Sequence, residues 1–351
     1  QLKGAGLTPY SRDGDGRAVL RSSIREYLCS EAMAALGVPT TRALCLIGSP
    51  EEVYRERIET GAMLVRMAPS HVRFGSFEVF FHRGQYDRLE DLASYLIRHH
   101  FTDLQDATDP HAELLRVAVR RTAELVARWQ LLGFAHGVMN TDNMSVLGLT
   151  LDYGPFAYMD AYEPGLVCNH SDRWGRYAFD RQPAIAYWNL SCLAQAMLPL
   201  LTPPGRPDDG DAAAERAIAI LADYQGAFDA AYGAGLRAKL GLAAAREGDL
   251  AVAERLLALM AANRVDYTNL FRALGRVSAT SPAHDAAARD LFLDRARVDA
   301  WAADIRQRLG AEAVPDAERR HAIDRVNTRY VLRNCLAQQD RVAAAGGVFA
   351  E

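Results

Sequence analysis

A long amphipathic stretch, residues 111 to 132, runs towards His136-Gly137-Val138-Met139-Asn140-Thr141-Asp142-Asn143, and nine residues later comes Asp152-Tyr153-Gly154. With Leu114, Val117, Leu125, Trp129 and Leu132 as candidate core positions, the stretch reads as a long helix, and His136 comes just after it. Asn143 offers an amide oxygen and Asp152 a carboxylate, the hard oxygen ligands that Mg²⁺ takes beside nucleotide phosphates. The same letters also suit ordinary turns and caps, so alone they leave a ligand site and a plain polar loop equally open.

The loop and the later triplet resemble the protein-kinase pattern H-R-D-x-x-x-x-N and D-F-G at the first His, the last Asn and the Asp-x-Gly. The base is missing. Val138 stands where a kinase carries its Asp, and a valine can neither accept a proton nor hold a hydroxyl. The metal half of the machinery is retained while the acceptor chemistry has changed.

Upstream, Gly4, Gly6, Gly14 and Gly16 lie among Lys3, Asp13, Asp15, Arg17 and Arg21, and glycine turns of this kind either cradle anions with backbone N–H groups or form a plain hairpin. Ser22 or Ser23 is the expected N-cap of a helix running to about Leu36 and stopped by Gly37 and Pro39. Glu26 on that helix and Lys3 on a preceding strand fit the kinase pair in which a carboxylate holds the ammonium towards phosphate. Residues 42–49, 61–67 and 76–82 read as strands. Arg66, among apolar strand neighbours, needs either a carboxylate or a phosphate; Arg73 follows in a turn.

Beyond residue 85 the period turns helical, over 86–100 and 111–132, then 183–201, then 211–341 with breaks near Pro203 to Asp211, Asn263 to Asp266 and Ser281-Pro282. The segment 144–162 reads as a small hairpin with Asp152 at its turn, and Cys168 to Asp180 as a polar, aromatic loop in the position of an activation segment. A net charge of −4 gives no field for nucleic acid, and no apolar run is long enough for a membrane span. Five cysteines without a C-x-x-C pair argue against a disulfide framework or a zinc site, Cys168 and His170 included. The start at Gln1 and the abrupt end read as those of a fragment.

With these residues assembled, the chain resembles the selenoprotein O family of kinase-like protein adenylyltransferases. The likeness is carried by LKGAGLTPYSRDGDGRAVLRSSIRE, PTTRAL, MLVRMAPSHVRFGSFE, GFAHGVMNTDNMSVLGLTLDYGPFAYMDAYEPG, CNHSDRWGRYAFDRQPAIAYWNL and VNTRYVLRN, which span residues 2 to about 334. It implies an α+β, protein-kinase-like two-lobed fold, with a partial strand-rich N-lobe over 1–83 and a helical C-lobe over 84–351. It implies transfer of AMP from ATP, bound flipped relative to kinases, to Ser, Thr or Tyr hydroxyls of proteins. Carried over by motif, Lys3, Asp15, Gly16, Arg66, Arg73 and Asp152 contact the nucleotide and Glu26 positions Lys3. Asn143 and Asp152 hold Mg²⁺ or Mn²⁺, and Asp142 is the proton acceptor.

The family's region upstream of the Lys strand and its C-terminal tail, which in some members bears a redox-active Cys or selenocysteine, are absent, and Cys335 precedes that tail. The family's association with redox homeostasis points to redox proteins as acceptors, and the Ala- and Arg-rich composition to a bacterial cytoplasm. Three rivals stay open: transfer of UMP, transfer of phosphate, and a non-catalytic nucleotide-binding scaffold.

Overall fold

The computed structural model describes residues 1–9, 11, 14–202 and 209–336. Asp13, most of the Pro203 to Asp211 break and residues 337–341 lie outside them. Among the described residues the chain is a mixed α and β protein with a four-stranded antiparallel sheet, a separate two-stranded ladder and a large helical body.

Strand β4 (Ile58–Met67) is the centre of the sheet. Strand β3 (Arg42–Tyr54) pairs along it from Arg42↔Met67 to Tyr54↔Ile58, with register shifts after Ala43 and Gly48. Two short strands pair with β4 as well: β1 (Leu2–Lys3) opposite Val65 and Leu64, and β2 (Ala18–Val19) opposite Ala62 and Gly61. Period-two alternation puts Ala62, Leu64 and Arg66 on one buried face of β4. Helix α1 (Leu20–Ala35) packs on β3 and β4 with Glu26 and Cys29 buried. It starts earlier than expected. Val19 is its N-cap, and Ser23 lies inside the first turn, where its hydroxyl donates to the Val19 carbonyl.

Residues 76–82 are not a strand. They belong to helix α2 (Phe74–His82), opened by Ser76, whose hydroxyl accepts from the Arg73 N–H. Phe77, Val79 and Phe81 alternate like a strand, but Phe74 and Phe77, both fully buried, lie three apart on one helical face that packs towards α5 (Gln182–Met197). Burial of those aromatics decides the conformation.

Helices α3 (Tyr86–His100) and α4 (Pro110–Leu132) match their expected spans. The Asp109 carboxylate caps α4 at the Ala112 N–H, Pro110 fills its first position, and Gly133, at φ 66°, ends it. The expected hairpin over 144–162 does not form. The only ladder there joins β5 (Phe134–Ala135) to β6 (Ala157–Tyr158), and the chain between bridges outward, Ser145 to Arg73 and Thr150 to Thr40. The backbone of 144–156 therefore finds its partners in other segments rather than in itself.

After α5 come α6 (Gly210–Leu221), α7 (Asp223–Leu240), α8 (Asp249–Asn263), α9 (Tyr267–Ala273), the short α10 (Ala286–Arg289), α11 (Arg295–Gly310) and α12 (Asp316–Val326). From Asn327 to Arg333 the run is irregular, with the Asn327 amide donating to the Lys239 carbonyl, and helix resumes at 334–336. One apolar core surrounds α4, with Trp129, Phe134 and Leu190; a second joins the end of α7 to α8, α9 and α11 through Met260, Phe271 and Trp301.

Gly133 marks the junction of the two cores, because a Cβ there would lie 2.9 Å from the Tyr267 ring. Gly133→Ala should lower stability by about 2 kcal/mol, from its left-handed backbone plus that contact. The check is the midpoint of urea unfolding.

Candidate active site

Arg66 reaches the site because strand alternation turns it inward beneath α1. Its Nε lies 2.5 Å from Glu26 Oε1 and its Nη2 2.5 Å from Asp152 Oδ1. Lys3 Nζ donates to Glu26 Oε2 at 2.6 Å and lies 3.4 Å from Asp152 Oδ1. Arg73 Nη2 stands 2.6 Å from Asp152 Oδ2. The Arg66–Glu26 and Arg73–Asp152 Oδ2 contacts are close ion pairs.

Three cations thus face two carboxylates in a nearly closed site. Burial pushes the Asp152 carboxyl up, but Arg66, Lys3 and Arg73 more than reverse this and hold it well below the usual carboxylate range. Burial opposes the charge on Arg66, and Glu26 and Asp152 outweigh it. For Arg73 burial wins and its pKa is lowered. The surplus positive charge, on partly exposed Lys3 and Arg73, is what a polyphosphate would neutralise.

The expected set divides in space. Lys3, Glu26, Arg66, Arg73 and Asp152 converge. Asp15 and Gly16 sit on the glycine turn, where Gly6 N donates to Gly16 O at 3.1 Å. The Asp15 carboxylate accepts from Arg55 at 2.8 and 2.9 Å and from the Arg17 N–H; these bonds, Arg55 first, lower its pKa to about 2.

The loop 136–143 is held by side-chain amides. Gln182, at the start of α5, accepts from the His136 N–H at 2.8 Å and donates to the Phe134 carbonyl. Asn189 donates to Met139 O at 2.9 Å, Asn169 to Gly137 O at 3.1 Å, and Asn143 to Val138 O at 3.0 Å. Neither Gln182 nor Asn189 stood out in the sequence, although a Gln and an Asn inside an otherwise apolar helix were the available signal. The buried His136 ring donates from Nε2 to Leu151 O at 2.9 Å, tying the loop to the residue before Asp152. Burial lowers the His136 pKa, so the ring is neutral, consistent with Nδ1 accepting from the Val138 N–H.

Asp142 lies against the start of α2. Its main-chain carbonyl accepts from Arg73 Nη1 at 2.8 Å, and its carboxylate occupies the space that a Cβ on Gly75 would fill, with Oδ1 2.2 Å from that position. Asn143, with its Nδ2 committed to Val138, keeps its amide oxygen as the available ligand end. Asp152, at φ 61°, is held in a backbone conformation rare for a residue with a Cβ. Two oxygen donors suit a divalent ion shared with phosphates, and among the described residues no three His, Cys, Asp or Glu side chains converge as a self-sufficient metal site.

Comparison with known proteins gives one consistent result. The family model described as protein adenylyltransferase SelO matches residues 1–344. A protein nucleotidyltransferase YdiU of Thioalkalivibrio sulfidiphilus is 58% identical over 351 residues, covering 100% of this chain and 70% of the relative. Proteins of the same name from Paraburkholderia xenovorans and Burkholderia multivorans are 56% and 55% identical, each over 96% of this chain and over 65% and 66% of their own lengths. The chain therefore spans about two thirds of the length of these curated relatives.

Glu26→Gln should cost roughly 3–5 kcal/mol, because it leaves the buried Arg66 short of a counter-charge. Arg66→Met combined with it should recover part of that loss, and denaturant titration of the two variants and their pair checks both. His136 has a folded-state pKa below its unfolded value, so its contribution to stability is complete above about 6.5 and is lost as pH falls below that. Relative to a His136→Phe variant, the wild type should lose up to about 1.4 kcal/mol more per pH unit on acidification from there, measured by urea midpoints.

Proposed function

Because this chain belongs to the protein adenylyltransferase SelO family, we propose that it transfers AMP from ATP to Ser, Thr or Tyr hydroxyls of proteins, on a kinase-like fold with lobes at 1–83 and 84–351. The observation that carries this reading is the pairing of a cation-rich cluster, Lys3, Arg66 and Arg73, with a loop whose kinase base position is Val138 and whose carboxylate is Asp142.

In the reaction the acceptor oxygen bonds the α-phosphorus, the bond to the β-phosphate bridge breaks, and pyrophosphate leaves. The acceptor proton passes to Asp142, which Gly75 lets approach the start of α2. Lys3, held by Glu26, and the two arginines bind the phosphate oxygens and stabilise charge on the departing pyrophosphate. Asp15 and Gly16 close the nucleotide side of the cleft. Asn143 and Asp152 are the residues that would hold Mg²⁺ or Mn²⁺, which supplies charge neutralisation on the phosphates when bound. Asp152 would then exchange part of its arginine contacts for the ion.

Proteins are the acceptors, redox proteins being the class to which the resemblance points, in a bacterial cytoplasm. Among the described residues no helix is long and apolar enough to cross a membrane.

The test uses the full-length natural protein with ATP labelled at the α- or the γ-phosphate. Incorporation of the α-label alone supports AMP transfer; incorporation of the γ-label alone would establish phosphorylation instead, and UTP used in preference to ATP would establish UMP transfer. Asp142→Ala should lower kcat by about 10²–10⁴-fold with ATP binding retained. Tight ATP binding without any incorporation would leave the scaffold reading. Gly75→Ala should also depress kcat more than ATP affinity, since the added methyl displaces the Asp142 carboxylate; stopped assays over a range of ATP concentrations separate the two.

A further inference from the structure

Trp174 is 90% exposed, an unusual position for the largest apolar side chain. It stands at the tip of the loop 168–181, and that loop is built to hold it. Asp172 accepts from the Arg176 and Tyr177 N–H groups at 2.8 and 2.7 Å, Gly175 turns at φ 62°, and Arg181 Nη1 donates to the Trp174 and Gly175 carbonyls. The Arg176 guanidinium lies 4.5 Å from the centre of the Trp188 ring, which with its neighbour Tyr187 is exposed on α5.

The base of the loop is continuous with the catalytic loop. Asn169 bonds Gly137 O, and Asn189, next to Trp188, bonds Met139 O. A ligand on this patch would be registered directly against residues 137–139.

We propose that Trp174, with the Arg176–Trp188 stack, is the docking surface for the acceptor protein, taking a segment that presents an apolar or aromatic side chain beside carboxylates. The inference rests on the reading of the acceptor as a protein. Arg173 and Arg176, on either side of Trp174 in the chain, are exposed and supply positive charge, while the Asp172 carboxylate is already occupied by two backbone N–H groups. With its backbone fixed by these hydrogen bonds, docking would order only the two side-chain torsions of Trp174, and Trp is among the residues that dominate interfaces.

The experiment measures binding of fluorescein-labelled synthetic peptides to the full-length protein by anisotropy, and transfer of α-labelled AMP to the same peptides. Each peptide carries one Tyr, Ser or Thr, with Phe or Ala and Asp or Lys at flanking positions. Peptides with Phe and Asp should bind best, and Trp174→Ala should weaken them at least about tenfold while leaving ATP affinity unchanged. In transfer assays the same variant should raise the KM for peptide and not the KM for ATP.

Equal binding by wild type and Trp174→Ala, or no preference for Phe with Asp, overturns the proposal. AMP transfer with unchanged peptide KM overturns it while leaving the adenylyl-transfer reading intact. Trp174-dependent binding without any α-label incorporation keeps the docking surface and removes that reading. If acrylamide fails to quench Trp174 in the full-length protein before any peptide is added, another segment of the same protein covers the patch, and the proposal falls.

Discussion

Everything at this site depends on the cost of burying the Arg66 guanidinium. Strand alternation drives it inward beside Ala62 and Leu64, and an unpaired ion there would cost several kcal/mol. Glu26 and Asp152 meet that demand from two separate elements, one on α1 and one on the segment after the loop 136–143. A single buried cation therefore sets the distance between the sheet, its helix and the Asp152 turn. Lys3 and Arg73 then share carboxylates already committed, which leaves the cluster short of negative charge and suited to an anionic ligand.

The second constraint is the satisfaction of backbone groups in an irregular loop. Residues 136–143 carry almost no ladder hydrogen bonds of their own, yet His136 and Met139 are buried. Buried peptide groups must be paired, and here the amides of Gln182, Asn189 and Asn169 do it. The loop is tied to α5 through Gln182 and Asn189. The His136 bond to Leu151 O carries the connection to the residue before Asp152, so the proposed base and the proposed metal ligand belong to one connected network.

Much of this was legible in the residues. The spacing of His136, Asn143 and Asp152, the valine at 138, the helices over 86–100 and 111–132, and the pairing of Lys3 with Glu26 all follow from letters and periods. Two readings failed for the same reason. Residues 76–82 alternate like a strand, and 144–162 have the length and punctuation of a hairpin, but local pattern carries no information about which neighbour will cover a face. In the folded chain α5 covers Phe74 and Phe77, and Thr40 and Arg73 take the bridges that a hairpin would have made within itself.

What the sequence by itself determined is the set of groups available: Asn143 and Asp152 with their oxygens, Asp142 beside Asn143, a valine at position 138 and a set of cations, together with the family to which these belong. What only the tertiary structure decided is which of those groups meet. Lys3, Arg66, Arg73 and Asp152 are separated by up to 149 residues and converge because one strand face, one helix and one turn share a single buried charge problem. Asp15, equally prominent in the sequence, is paired with Arg55 in the turn between β3 and β4. Motif spacing reports local order along the chain, whereas the burial cost of Arg66 is a property of the packed interior and exists only once the chain has folded.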